Sequence, residues 1–118
     1  MYKNVEIVLS HEAEDAYYDL VNKSICSKKE RMILNAFYRN VDILKSKPFF
    51  GDQIRKELIP DEYISRYDCS NLFRVELPCF WRMIYSVTSY DKIVSIAVLI
   101  LDIFDHETYD QKFGYRKC

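Results

Sequence analysis

Glycine and proline are scarce in this chain, two and three residues among 118. That excludes a loop-rich or low-complexity architecture and points to regular elements with short connections. An excess of charge of one sign is also missing, because 17 Lys and Arg stand against 18 Asp and Glu for a net charge of −1. Domains that hold nucleic acid by bulk charge carry a clear basic excess, so DNA binding by this chain on its own is not expected. A local basic cluster stays open: Lys112, Arg116 and Lys117 make the last residues basic, with Arg74 and Arg82 elsewhere in the chain. The two histidines, His11 and His106, lie far apart, and Cys26, Cys69, Cys79 and Cys118 form no C-x-x-C pair. Neither a metal pattern nor a cofactor motif emerges. The longest apolar run, residues 93–101, is strand-sized and too short to span a membrane. The start, MYKNVEIVLS, lacks the basic and apolar regions of a signal peptide. A cytoplasmic protein with free thiols and no membrane contact is expected.

What is present is an aromatic-rich globular composition, ten Tyr and seven Phe, in a length suited to one domain over residues 1–118. The chain is organised around residues 71–87, NLFRVELPCFWRMIYSV, two strands joined by a turn at Pro78-Cys79. Side chains alternate across a strand, so Phe73, Val75 and Leu77 point one way while Leu72, Arg74 and Glu76 point the other. In the second strand Trp81, Met83, Tyr85 and Val87 form the apolar row and Arg82 faces away. One face is expected to serve a core and the other to display Arg74, Glu76 and Arg82.

Ahead of this pair, residues 3–9 alternate as a first strand, with Val5, Ile7 and Leu9 on one side. Ser10 reads as a helix N-cap with Glu12, Glu14 and Asp15 behind it, where carboxylates suit the helix dipole. Ala13, Ala16, Tyr17 and Leu20 make its apolar stripe. Ser27 and Glu30 form a capping box for a second helix carrying Ile33, Ala36, Phe37, Val41 and Leu44, which stops before Pro48. So short a connection makes the two helices an antiparallel hairpin, and the apolar sheet face is the partner that covers them. Pro60-Asp61-Glu62 reads as the start of a short helix through Tyr63, Ile64 and Tyr67, with Arg55, Lys56 and Arg66 as surface charges. After a turn at residues 89–91, residues 93–104 are apolar on both faces, as in a central strand. Asp105 caps a last helix from His106 to Phe113, ended by Gly114.

This order of elements, with the phrase Trp81-Arg82-Met83-Ile84-Tyr85, resembles the RelE/ParE superfamily of toxins from toxin–antitoxin pairs, over most of the chain. The tail, Asp105-His106-Glu107-Thr108-Tyr109-Asp110 followed by Phe113-Gly114-Tyr115-Arg116, looks like an archaeal-type branch. The fold implied is α+β, an antiparallel four-stranded sheet packed on an N-terminal helix hairpin, with a short C-terminal helix. The activity implied is ribosome-dependent cleavage of messenger RNA, in which a 2′-hydroxyl attacks the adjacent phosphate. The partners implied are ribosome-bound message and a neutralising antitoxin peptide or protein.

The resemblance assigns Arg82 to the family's arginine, a clamp on the phosphate as its charge grows. Arg74 falls on a basic strand position and becomes a second phosphate contact, with Lys112 and Arg116 as further basic residues of the tail. Tyr109 lies near the family's C-terminal tyrosine. Where RelE carries a second lysine this chain has Glu76, and no base stands in residues 101–105. His106 lies near that place, so Glu76, Arg82 and His106 resemble the carboxylate, arginine and histidine set of a related branch. Each residue also has an ordinary reading: an Arg82–Glu76 ion pair across the strands, His106 as a first-turn helix residue, Tyr109 as a core aromatic. Two functions stay open, an mRNA endonuclease and a non-catalytic interaction domain on the same scaffold, either a protein-target binder or a decayed toxin.

Overall fold

Ser10 ends the first strand and starts the first helix. Its amide donates to the Ile100 carbonyl at 2.8 Å, its hydroxyl donates to the Leu101 carbonyl at 2.6 Å, and the same oxygen accepts from the Ala13 amide at 3.0 Å. The chain therefore leaves the sheet and enters the helix with its polar groups satisfied. The structure is a computed structural model that describes residues 4–89 and 95–114. The expected turn at 89–91, the first residues of the last strand, and Tyr115, Arg116, Lys117 and Cys118 fall wholly or partly outside the described residues.

In chain order the elements are β1 (Asn4–Leu9), α1 (His11–Ser24), α2 (Lys28–Ser46), β2 (Asp52–Gln53), α3 (Asp61–Tyr67), β3 (Phe73–Leu77), β4 (Trp81–Ser89), β5 (Ser95–Phe104) and α4 (His106–Phe113). The capping box forms, with the Ser27 hydroxyl on the Glu30 carboxylate and the Glu30 amide directed back at Ser27. Asp105 caps α4 through the Thr108 amide at 2.9 Å, and Gly114 ends that helix at φ +70°, which glycine adopts without a Cβ clash. Pro60 stands one residue earlier than expected, as the cap of α3 rather than its first residue.

The sheet corrects the expected one. It has five strands in the order β1-β5-β4-β3-β2 and is mixed rather than antiparallel. β1 runs parallel to β5, from Asn4 beside Ser95 to Leu9 beside Ile100, while the other pairings are antiparallel. Strand polarity escaped the sequence because an alternation of period two reads the same in either direction. β2 escaped because two exposed polar residues carry no periodic signal.

One face of the sheet packs on α1 and α2. Ala13, Leu20, Ile33, Phe37 and Leu44 meet Phe73, Val75, Met83, Tyr85, Val98 and Ile100 there. Each fully buried large aliphatic in such a core contributes about 1.5–3 kcal/mol. The expected helix stripes and the row Trp81, Met83, Tyr85 and Val87 all join this layer. Among the described residues, no helix is long and apolar enough to cross a membrane.

Candidate functional site

The site grows from the pairing of β3, β4 and β5. Glu76 lies opposite Arg82, and Arg82 opposite Phe104; one step along, Arg74 lies opposite Ile84, and Ile84 opposite Asp102. These residues share the face turned away from α1 and α2. That face was expected to be open, and the structure corrects this. A second core covers much of it, built from Ile54, Ile59, Tyr63, Leu72, Ile84, Leu101, Phe104, Tyr109 and Phe113. Within this face the β4–β5 register shifts at a β-bulge between Ile84 and Tyr85, which face Asp102 and Ile100 and leave Leu101 over. Past the bulge the alternation changes phase, so Asp102 and Phe104 fall on the outer face while Ile103 joins the inner core.

α4 closes over this second core and brings Tyr109 to the arginines. Tyr109 is 1% exposed, stacks on Phe113 at 4.6 Å between ring centres and meets Phe104 edge-on at 6.2 Å. The Arg82 guanidinium lies 5.2 Å from the Tyr109 ring centre and that of Arg74 lies 5.9 Å from it. Arg74 also donates to the Tyr109 hydroxyl at 3.0 Å, and its guanidinium reaches Asp52 at 3.5 Å. Arg82 donates to the Phe80 carbonyl at 3.1 Å. In both arginines Nε is buried without a hydrogen-bond partner among the described residues. Two cations thus share one aromatic ring, each such contact being worth about 0.5–1 kcal/mol or more when water is excluded.

The remaining expected residues surround this pair unevenly. Glu76 is exposed on β3, and although it stands directly opposite Arg82, the two form no ion pair. The ordinary cross-strand reading of Arg82 therefore does not hold. His106, in the first turn of α4, pairs with Asp110 at 3.1 Å, and its ring centre lies 6.1 Å from that of Phe80. Lys112 points elsewhere: its ammonium lies 2.5 Å from a Glu62 carboxylate oxygen and ties α4 to α3. Arg116 lies outside the described residues. Of the three charges near α3, Arg66 pairs with Glu12 of α1 and Arg55 lies 3.6 Å from Glu57. The structure thus gathers Arg74, Arg82 and Tyr109, sets Glu76 and His106 at the rim, and takes Lys112 away.

Several participants carried no sequence signal strong enough to single them out. Gly51 lets its loop approach the edge of β3; a Cβ there would stand 2.8 Å from the Arg74 carbonyl oxygen and 2.9 Å from the Tyr85 hydroxyl oxygen. Its amide donates to that hydroxyl at 2.8 Å, and the approach delivers Asp52 to Arg74. Asn40, Phe50, Gly51, Asp52, Arg74, Val75 and Glu76 enclose a depression of about 280 Å³ beside it. On the outer face the Tyr63 hydroxyl donates to Asp102 at 2.6 Å. Burial pushes the Asp102 carboxyl up, and burial together with the nearby Asp102 charge pushes the Tyr63 phenol up. Glu12 accepts from the Tyr67 hydroxyl at 2.6 Å and from Arg66, and those two bonds pull its carboxyl down to about 2.

Cys26, Cys69 and Cys79 are free thiols, and burial pushes that of Cys69 up. Among the described residues no three of His, Cys, Asp and Glu are grouped to hold a metal ion. The chemistry available is anchored positive charge beside an exposed carboxylate and a half-exposed imidazole. No protein-family model matches this chain, and no curated protein matches it.

Proposed function

We propose that the chain is a toxin domain of RelE/ParE type that binds RNA and cleaves a phosphodiester bond of ribosome-bound message. The observation that carries this reading is the convergence of Arg74 and Arg82 on Tyr109. Two guanidiniums held near one ring, with donors to spare, suit a phosphate that becomes more negative in the transition state. The rim supplies the proton carriers such a reaction needs. Glu76 accepts the proton of the 2′-hydroxyl as its oxygen bonds to phosphorus. His106, paired with Asp110 in its charged form, gives a proton to the departing 5′-oxygen. The products are a 2′,3′-cyclic phosphate and a free 5′-hydroxyl. Tyr109, being buried, is a positioning residue that holds the arginines rather than one that touches RNA. Pairing with an antitoxin peptide or protein belongs to the same proposal.

The test is cleavage of a defined message in a translating extract matched to the host, with 5′ ends mapped. Wild type should cut within the A-site codon, and Arg82→Ala should lose about a hundredfold or more. Folded wild type that cuts nothing above background overturns the enzyme reading. A second reading, a non-catalytic domain that binds a protein, rests on a different observation. Arg74, His106 and Lys112 each already have a carboxylate partner, and Tyr18, Ile25, Met32 and Tyr38 leave exposed apolar surface on the helix pair. It predicts no cleavage and a stable complex that survives Arg82→Ala.

A further inference from the structure

Phe80 is the most exposed phenylalanine or tyrosine among the described residues, at 73%. It also stands where the backbone disfavours it. Cys79 and Phe80, consecutive residues of the turn between β3 and β4, have φ of +62° and +64°. Hairpin turns with two such residues ordinarily take Asn-Gly or Asp-Gly, because a Cβ is strained there. A glycine at position 80 would relieve the strain, yet the chain places an uncovered aromatic ring at that point, the kind of outlier that marks a functional position. The surroundings give the ring a use. Its carbonyl accepts from Arg82 at 3.1 Å, so one turn anchors the guanidinium inward and projects the ring outward. His106 stands beside it at 6.1 Å, tilted by 54°. Glu76 before the turn and Glu107 after His106 are exposed and polar. A single flat ring next to a guanidinium matches the two halves of a nucleotide, a base to stack and a phosphate to neutralise.

We propose that Phe80 is a stacking platform for a nucleobase of single-stranded RNA, with the attached phosphate on Arg82 and His106 at the base's edge. The proposal rests on the RNA-directed reading above and names the residue that seats the base. Stacking of this kind tolerates any base, since every base has a π-face, so Phe80 contributes affinity and placement rather than a base code.

The experiment uses the full chain and a single-stranded RNA octamer with 2-aminopurine at its centre, at low salt, followed by fluorescence without ribosomes or turnover. Wild type should bind and change the probe's emission. Phe80→Ala and Phe80→Gly should weaken binding about fivefold to a hundredfold and abolish the emission change, while Phe80→Trp stays within about threefold of wild type. Phe80→Gly guards against misfolding, because it removes the strained Cβ and should melt no lower than Phe80→Ala. If both small variants bind like wild type while Arg82→Ala weakens binding, stacking is overturned, the RNA reading survives, and the ring is left to a protein partner. If wild type leaves the probe unchanged, stacking and RNA binding fall together. Loss of A-site cleavage with binding intact would overturn only the nuclease chemistry.

Discussion

On its inner face the sheet meets α1 and α2 through side chains such as Leu20, Ile33, Leu44, Val98 and Ile100, all at most 1% exposed and without polar atoms. On its outer face it meets α3 and α4 through tyrosines whose hydroxyls all have partners: Tyr63 on Asp102, Tyr67 on Glu12, and Tyr109 with Arg74. The first layer is held by burial, which is non-directional and roughly proportional to area. The second adds directional bonds, which are individually weaker but determine where a charged group sits. Strand alternation puts the arginines on the outer face, and there the Tyr109 ring offers both a π-face, while its hydroxyl accepts from Arg74.

Substitutions on the two faces should therefore differ in size and in pH dependence. The largest loss belongs to the inner layer. Leu44→Ala, at a fully buried position, should cost about 2–5 kcal/mol in a denaturant titration. A loss below about 1 kcal/mol there would mean that the helix pair is not the main support of the sheet.

Next comes Tyr63→Phe, which removes the donor to a partly buried carboxylate and should cost about 1–3 kcal/mol at neutral pH. The sign of its pH dependence follows from Asp102. A carboxyl raised by burial binds its proton more readily in the folded chain than in the unfolded one. The stability it contributes is present below the ordinary aspartate range and is lost as pH rises through the raised value. The Tyr63→Phe penalty should thus be smaller at about pH 4 than at neutrality. An equal penalty at both would show that the hydroxyl does not serve the charged carboxylate.

Glu12 has the opposite sign. Its carboxyl, pulled from 4.5 down to about 2 by Tyr67 and Arg66, contributes stability above the unfolded value and loses it as pH falls from 4.5 towards 2. Glu12→Gln should flatten that acid limb in melting curves. Because the pair is partly exposed and screened, it should cost no more than about 1 kcal/mol at neutral pH. An acid limb as steep in the variant as in wild type would locate the effect elsewhere.

The smallest effect is expected for Lys112→Ala, an exposed ion pair with Glu62, at about 0.5 kcal/mol or less. Binding of the RNA octamer should stay within about twofold of wild type. A larger loss would show that Lys112 leaves Glu62 for a phosphate.

The inner layer was the part legible in the sequence. Its helix caps at Ser10 and Ser27, its stripes through Leu20, Ile33 and Leu44, and the row Met83, Tyr85 and Val87 all follow from local spacing, as does the Asp105 cap of α4 on the other face. Arg74, Glu76 and Arg82 were likewise legible as residues of one face, since strand alternation requires it. The convergence of two of them on Tyr109 was not, because position 109 meets position 74 only after α4 folds back across the sheet. The same holds for Asp52, carried in by a loop whose approach depends on Gly51 lacking a side chain.

Local sequence by itself determined where α1, α2 and α4 begin and which side of α1 and α2 is apolar, because caps and periodicity act over a few neighbouring bonds. Tertiary structure alone decided three things: that β1 lies parallel to β5, that a bulge at Leu101 turns Asp102 and Phe104 outward, and that the second face is roofed rather than open. Each depends on which segments meet across long separations, and a pattern of period two carries no record of its neighbour's direction or of a one-residue slip.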